Sequence, residues 1–160
     1  MNSPLDSLDL TKQAPHSPRD RVAGFAIALR TADKCRATAA GTQGAYHYDC
    51  PLDRMLFDFK GIIGEEFHAA VRAPRTNEEL GLWLTTHGAP KTPQEITAWS
   101  DAMENVRPIE NPTKRADFIA NCQNVGIDPE TSTLFDWLEA DDIATFRPKA
   151  ASHTRLIFNP

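Results

Sequence analysis

The sequence predicts a mainly α-helical fold: a compact single domain of about six or seven short helices, with an extended N-terminal arm and little or no β structure. Two observations carry this expectation. From Phe25 onward apolar residues recur at the helical period, and Ser, Thr and Asn stand where helix N-caps belong. Strict alternation of apolar and polar residues, the mark of a half-buried strand, is confined to Thr154–Phe158. Twelve prolines and eight glycines are scattered along the chain, which cuts it into many short elements and leaves no low-complexity linker. The expected organisation is an arm over 1–20, a helical domain over 21–147 and a tail over 148–160.

The arm carries prolines at 4, 15 and 18 and little periodicity. It is expected to lie across the domain surface. The first helix places Phe25, Ala28, Leu29, Ala32 and Ala39 on one face and stops at Gly41. Winding at about 100° per residue puts Arg36 within that face, where it needs an acidic partner such as Asp49, Asp53 or an acid near the C-terminus. A short extended piece, Ala45 to Asp49, leads to Pro51, which suits a first helical position; Leu52, Met55, Leu56 and Phe59 form the predicted buried face.

Gly61 and Gly64 flank a break before a helix with Phe67, Ala70 and Val71 inward. Thr76 with Glu79 and Thr92 with Glu95 form two capping-box patterns. They open helices that bury Leu80, Trp83 and Leu84, and then Ile96, Trp99 and Met103. Asn111 and Pro112 open the next, with Phe118, Cys122 and Val125 inward, and a last helix around Ser132 to Ala140 offers Leu134, Trp137 and Leu138.

The 160-residue chain is long enough to bury roughly two-thirds of its unfolded surface. A net charge of −5 argues against a sequence-independent nucleic-acid binder, which needs a basic stripe to displace counterions. No apolar run approaches the roughly 20 residues that span a bilayer, and no signal-peptide segment opens the chain. The expectation is a cytoplasmic protein with no membrane partner. Cys35, Cys50 and Cys122 are odd in number and form no CxxC pair, which points to reduced thiols, with neither a disulfide framework nor a metal site.

The block from Arg30 to Asp53, RTADKCRATAAGTQGAYHYDCPLD, gathers most of the plausible chemistry. Cys50 precedes a helix start, where backbone amides favour a thiolate, and His47 stands three residues away as a base or cation. Cys50 and His47 are therefore the candidate catalytic residues. Arg30, Lys34 and Arg36 are suited to a phosphate or carboxylate; Asp33 and Asp53 would orient these cations, and Tyr46 would donate a hydrogen bond. The alternative is a salt-bridged polar core in a non-catalytic interaction or structural module. His68 and His87 read as structural, and the run Glu139, Asp141 and Asp142 as a solvated helix end or a partner for arginine. No cofactor is called for.

The same residues resemble a known family. The pattern R-x-x-DK-x-RA, then G-x-x-G-x-YH-x-x-CPLD, stands here at Arg30, Asp33, Lys34, Arg36, Ala37, Gly41, Gly44, Tyr46, His47, Cys50, Pro51, Leu52 and Asp53, and is similar to the uncharacterised bacterial DUF5069 domain family. The likeness runs from about Leu10 to the segment Phe135 to Asp142. It implies a bacterial domain to which no activity is assigned, so no catalytic role is carried over.

Overall fold

A computed structural model of the chain describes residues 8–73 and 75–147. Those residues form seven α-helices and one 3-10 turn: α1 Ala28–Ala40, α2 Pro51–Lys60, α3 Gly64–Arg72, α4 Asn77–Thr86, α5 Pro93–Glu104, the turn Pro108–Glu110, α6 Arg115–Val125 and α7 Leu134–Phe146. The mainly α expectation holds, and among the described residues the sole β feature is an isolated bridge between Val22 and Phe25. The anticipated strand at Thr154–Phe158 and the tail over 148–160 lie outside the described residues, as do residues 1–7 of the arm.

The described part of the arm packs onto the domain. Leu10 is 1% exposed and its amide donates to the Thr42 carbonyl at 2.9 Å. Pro15 and Pro18 are buried, and the Ile27 amide donates to the Pro18 carbonyl at 2.9 Å. Ser100 on α5 fixes the following turn, accepting from the Ala26 amide at 2.9 Å and donating to the Gly24 carbonyl at 2.7 Å.

This turn displaces the first helix relative to expectation. Ile27 has φ 60, so the helix begins at Ala28 and the phase counted from Phe25 does not continue through it. Phe25 is nevertheless fully buried, as part of the turn. From Ala28 to Ala37 α1 is enclosed on nearly all sides: Ala28, Arg30, Thr31, Ala32, Asp33, Lys34, Cys35 and Ala37 are all buried. Arg36 is half-buried and Ala39 exposed, which corrects the expectation that Arg36 points into the core. The core-facing cations are Arg30 and Lys34.

The buried face of α2 differs in the same way. Asp53, Leu56, Phe57 and Lys60 are buried, whereas Leu52 and Phe59 are half-buried and Met55 is 39% exposed. The charged pair is what rotates the face: Asp53 turns inward to meet Lys34, and Lys60 reaches the loop after α4. The α3, α4 and α5 faces agree with the periodicity, with Phe67, Ala70, Val71, Leu80, Leu84, Ile96 and Met103 buried and Trp83 and Trp99 half-buried. Both capping boxes form: Thr76 accepts from the Glu79 amide at 3.1 Å and Thr92 from the Glu95 amide at 3.1 Å.

Asn111 does not open α6 directly. Its side chain accepts from the Thr113 amide and hydroxyl, closing a local turn, and α6 begins at Arg115. The apolar interior falls into two clusters. The larger joins Phe25, Ile27, Ala32, Leu56, Phe57, Phe67, Leu80, Leu84, Ile96, Met103 and Phe135; the smaller joins Ile109, Phe118 and Cys122, with Ile119, Ile127 and Trp137 packed on it. Helix α7 belongs to both, through Phe135 on one side and Trp137 on the other.

Candidate functional site

Helix α1 presents Arg30, Asp33 and Lys34 to two polar groups. The first centres on Asp53, which is 0% exposed in the first turn of α2. Its Oδ1 accepts from Lys34 Nζ at 2.8 Å and from Thr31 Oγ1 at 2.8 Å, and its Oδ2 accepts from the Cys50 amide at 3.4 Å. Lys34, 4% exposed, also donates to the Cys50 sulfur at 3.2 Å. Cys50 itself is half-buried at the N-cap of α2. The Asp53 carboxylate offsets the cost of enclosing this lysine, since breaking a buried ion pair costs several kcal/mol, on the order of 3–5.

The second group links α1 to α7 through their side chains. Arg30 grips Asp142 bidentately, with Nη1 to Oδ2 at 2.7 Å and Nη2 to Oδ1 at 3.0 Å. Both side chains are buried. Arg30 also donates to the His16 carbonyl at 3.2 Å and lies over the Tyr46 ring, 5.5 Å from its centroid. The Tyr46 hydroxyl donates to Asp142 Oδ1 at 2.8 Å. Burial first, and then the neighbouring Asp142, pushes the Tyr46 hydroxyl well above its ordinary value, so it remains a donor at neutral pH. Burial, followed by Asp142, likewise raises the Asp141 carboxyl.

Asp33 ties the arm to this centre. Its Oδ2 accepts from the His16 amide at 2.7 Å and contacts His16 Nδ1 at 2.6 Å. Ser17 and Arg19 extend the arm's hold on α7: Ser17 donates to Glu139, and Arg19 pairs with Asp136 at 2.8 Å and Glu139 at 2.7 Å. His16 was invisible to sequence reasoning because nothing periodic marks a histidine between prolines. The acidic run on α7 did signal an arginine partner, and Asp142 fills that role for Arg30.

The other candidates stand apart from these groups. His47 is exposed. Arg36 donates to Asn77 Oδ1 at 3.3 Å and to the Arg75 carbonyl at 3.5 Å. The acids expected to meet it are engaged elsewhere, Asp53 by Lys34 and Asp142 by Arg30. A groove of about 470 Å³ is lined by Arg21, Val22, Leu29, Asn77, Glu78 and Gly81 among others, and contains Leu29 but no residue of the Arg30–Asp53 block. Among the described residues no group of three or more His, Cys, Asp or Glu converges as a metal site.

Lys60 is a further buried cation that periodicity did not single out. It is 1% exposed, donates to the Ala89 carbonyl at 2.8 Å and lies 5.9 Å from the Phe25 ring centroid. Burial, then nearby Lys91, pushes its ammonium down from the ordinary lysine value.

A family described as Domain of unknown function (DUF5069) matches residues 12–144. The chain belongs to the DUF5069 family. Thus the DUF5069 domain spans the arm from Lys12, both polar groups and all but the last residues of α7. No curated protein matches the chain. Among the described residues no helix is long and apolar enough to cross a membrane.

Proposed function

We propose that this DUF5069 protein is a non-catalytic structural or protein-interaction module, in which the Arg30–Asp53 block is a salt-bridged core. One observation carries the reading: the buried charged groups of the block are already engaged, Arg30 by Asp142, Lys34 by Asp53 and Asp33 by the backbone amide and ring of His16. An anion that recruited Arg30 or Lys34 would displace a carboxylate and leave it buried without its partner, at a cost of about 3–5 kcal/mol. The proposed setting is the bacterial cytoplasm, in keeping with three free cysteines. A nucleic-acid partner is left out of the proposal because the net charge is −5.

A small-anion site is the second reading, with Cys50 or His47 as the reacting group. Arg36 favours it, because among the described residues its bonds go to neutral acceptors. Thermal unfolding in phosphate, sulfate or citrate against chloride at equal ionic strength separates the two. The core reading expects any rise in the oxyanions to be the general salting-out one, equal in wild type and Arg36→Gln. A rise in one oxyanion that Arg36→Gln abolishes would transfer the proposal to the anion site.

A further inference from the structure

The contact between Lys34 and Cys50 joins an amine on α1 and a thiol at the N-cap of α2, with a carboxylate beside them. Nζ lies 3.2 Å from Sγ and 2.8 Å from Asp53 Oδ1. Lys34 is 4% exposed and cannot swing into solvent without abandoning Asp53, whereas Cys50 is only half-buried. We infer that Cys50 and Lys34 form a reversible sulfur–nitrogen cross-link when the protein meets hydrogen peroxide or an organic hydroperoxide.

In the first step the peroxide oxidises the thiol by two electrons. Cys50–SH and H2O2 give Cys50–SOH and water, with the peroxide oxygen reduced. A sulfenic acid condenses with a nearby nitrogen or thiol, and the nitrogen held against this sulfur is that of Lys34. Lys34 releases one proton to the Asp53 carboxylate across their 2.8 Å contact, and its lone pair attacks sulfur. The S–N bond forms as the S–O bond breaks, and the departing hydroxide takes a second proton from nitrogen as water. The products are the Cys50–S–NH–Lys34 link, water and a protonated Asp53. A small thiol attacks sulfur, breaking the S–N bond and giving its proton to the departing Lys34 amine, to leave a mixed disulfide on Cys50; a second thiol releases Cys50–SH as the small disulfide forms.

This inference stands independently of whether the block binds an anion. Its test is intact-mass and peptide analysis of the full chain after limiting hydrogen peroxide, before and after dithiothreitol. The Cys35→Ala, Cys122→Ala protein is used because one remaining cysteine cannot form an intramolecular disulfide. Expected is a loss of about 2 Da, a tryptic peptide joined through Cys50 and uncleaved after Lys34, and full reversal by dithiothreitol. Cys50→Ser should abolish the loss. Oxygen adducts alone, in multiples of about 16 Da, would overturn the inference. If the double variant does not fold, the wild-type protein decides, acetylated after unfolding in urea without reductant: a Lys34 amine protected in the peroxide-treated sample and freed by dithiothreitol supports the link, and full acetylation of Lys34 in oxidised, unfolded protein refutes it.

Discussion

At the scale of single residues, burial decides which groups titrate with folding. Cys35, 1% exposed on α1, has its thiol pushed up to about 11 from an ordinary 9.0, chiefly by burial. A raised folded value means that the protonated thiol contributes stability that is complete below pH 9.0 and lost as pH climbs towards about 11. The full effect is roughly 2–3 kcal/mol. Urea unfolding of wild type and Cys35→Ala at steps from about pH 8 to 10.5 should show wild type losing its advantage as the solution becomes alkaline; a constant gap would contradict the assignment. His47 offers the opposite case: being exposed, its replacement by alanine is expected to alter stability by less than about 0.5 kcal/mol. Sequence reasoning found the residues of the polar block but assigned Arg36 the inward place that Arg30 and Lys34 occupy. The left-handed Ile27 before α1 resets the helix phase, and alanines on a helix enclosed on several sides mark no single apolar face.

At the scale of elements, what could be read in advance depended on how local the signal was. Capping boxes and amphipathic faces located α3, α4 and α5, because a cap uses residues three apart and a face uses one helix. The face of α2 was misjudged because its orientation depends on Lys34 and on the loop after α4, neither visible from its own period. That loop is anchored reciprocally: Ala89 donates its amide to the Lys60 carbonyl at 2.6 Å and accepts from Lys60 Nζ at 2.8 Å. Gly88 makes the approach possible, with φ 71 and a position at which a Cβ would sit 2.0 Å from the Lys60 carbonyl oxygen. Gly88→Ala is expected to cost about 2–4 kcal/mol, from the left-handed backbone plus a forced shift of α2's end. Gly126, with φ 77 and nothing within 4 Å, is the control. Its alanine variant bears the backbone penalty alone, about 1–2 kcal/mol, so equal losses in chemical denaturation would remove the role given to the Lys60 contact.

At the scale of the whole molecule, the buried ion pairs join helices that also share the larger apolar cluster, α1 with α7 and α1 with α2. Phe135 and Trp137 place α7 in both clusters, and Arg30–Asp142 locks that helix to α1 from within. Asp142 is 112 residues from Arg30, a separation no local pattern encodes, which is why the polar block could be recognised while its partners could not. The consequence is a strong dependence on pairing. Asp142→Ala leaves Arg30 buried without its carboxylate and takes a hydrogen-bond acceptor from Tyr46, so a loss of about 3–5 kcal/mol is expected. Arg30→Met leaves Asp142 in the same position and should cost a similar amount. With Asp142→Leu added to Arg30→Met, both charges are gone and an apolar contact takes their place, so the double variant should recover most of the single-site loss. A urea double-mutant cycle measures this directly, and additive losses would mean that the two charges act separately. Recovery of stability in the double variant would also show that the pair is replaceable as an architectural element, because a well-packed apolar contact holds α7 to α1 as well as the buried charges do.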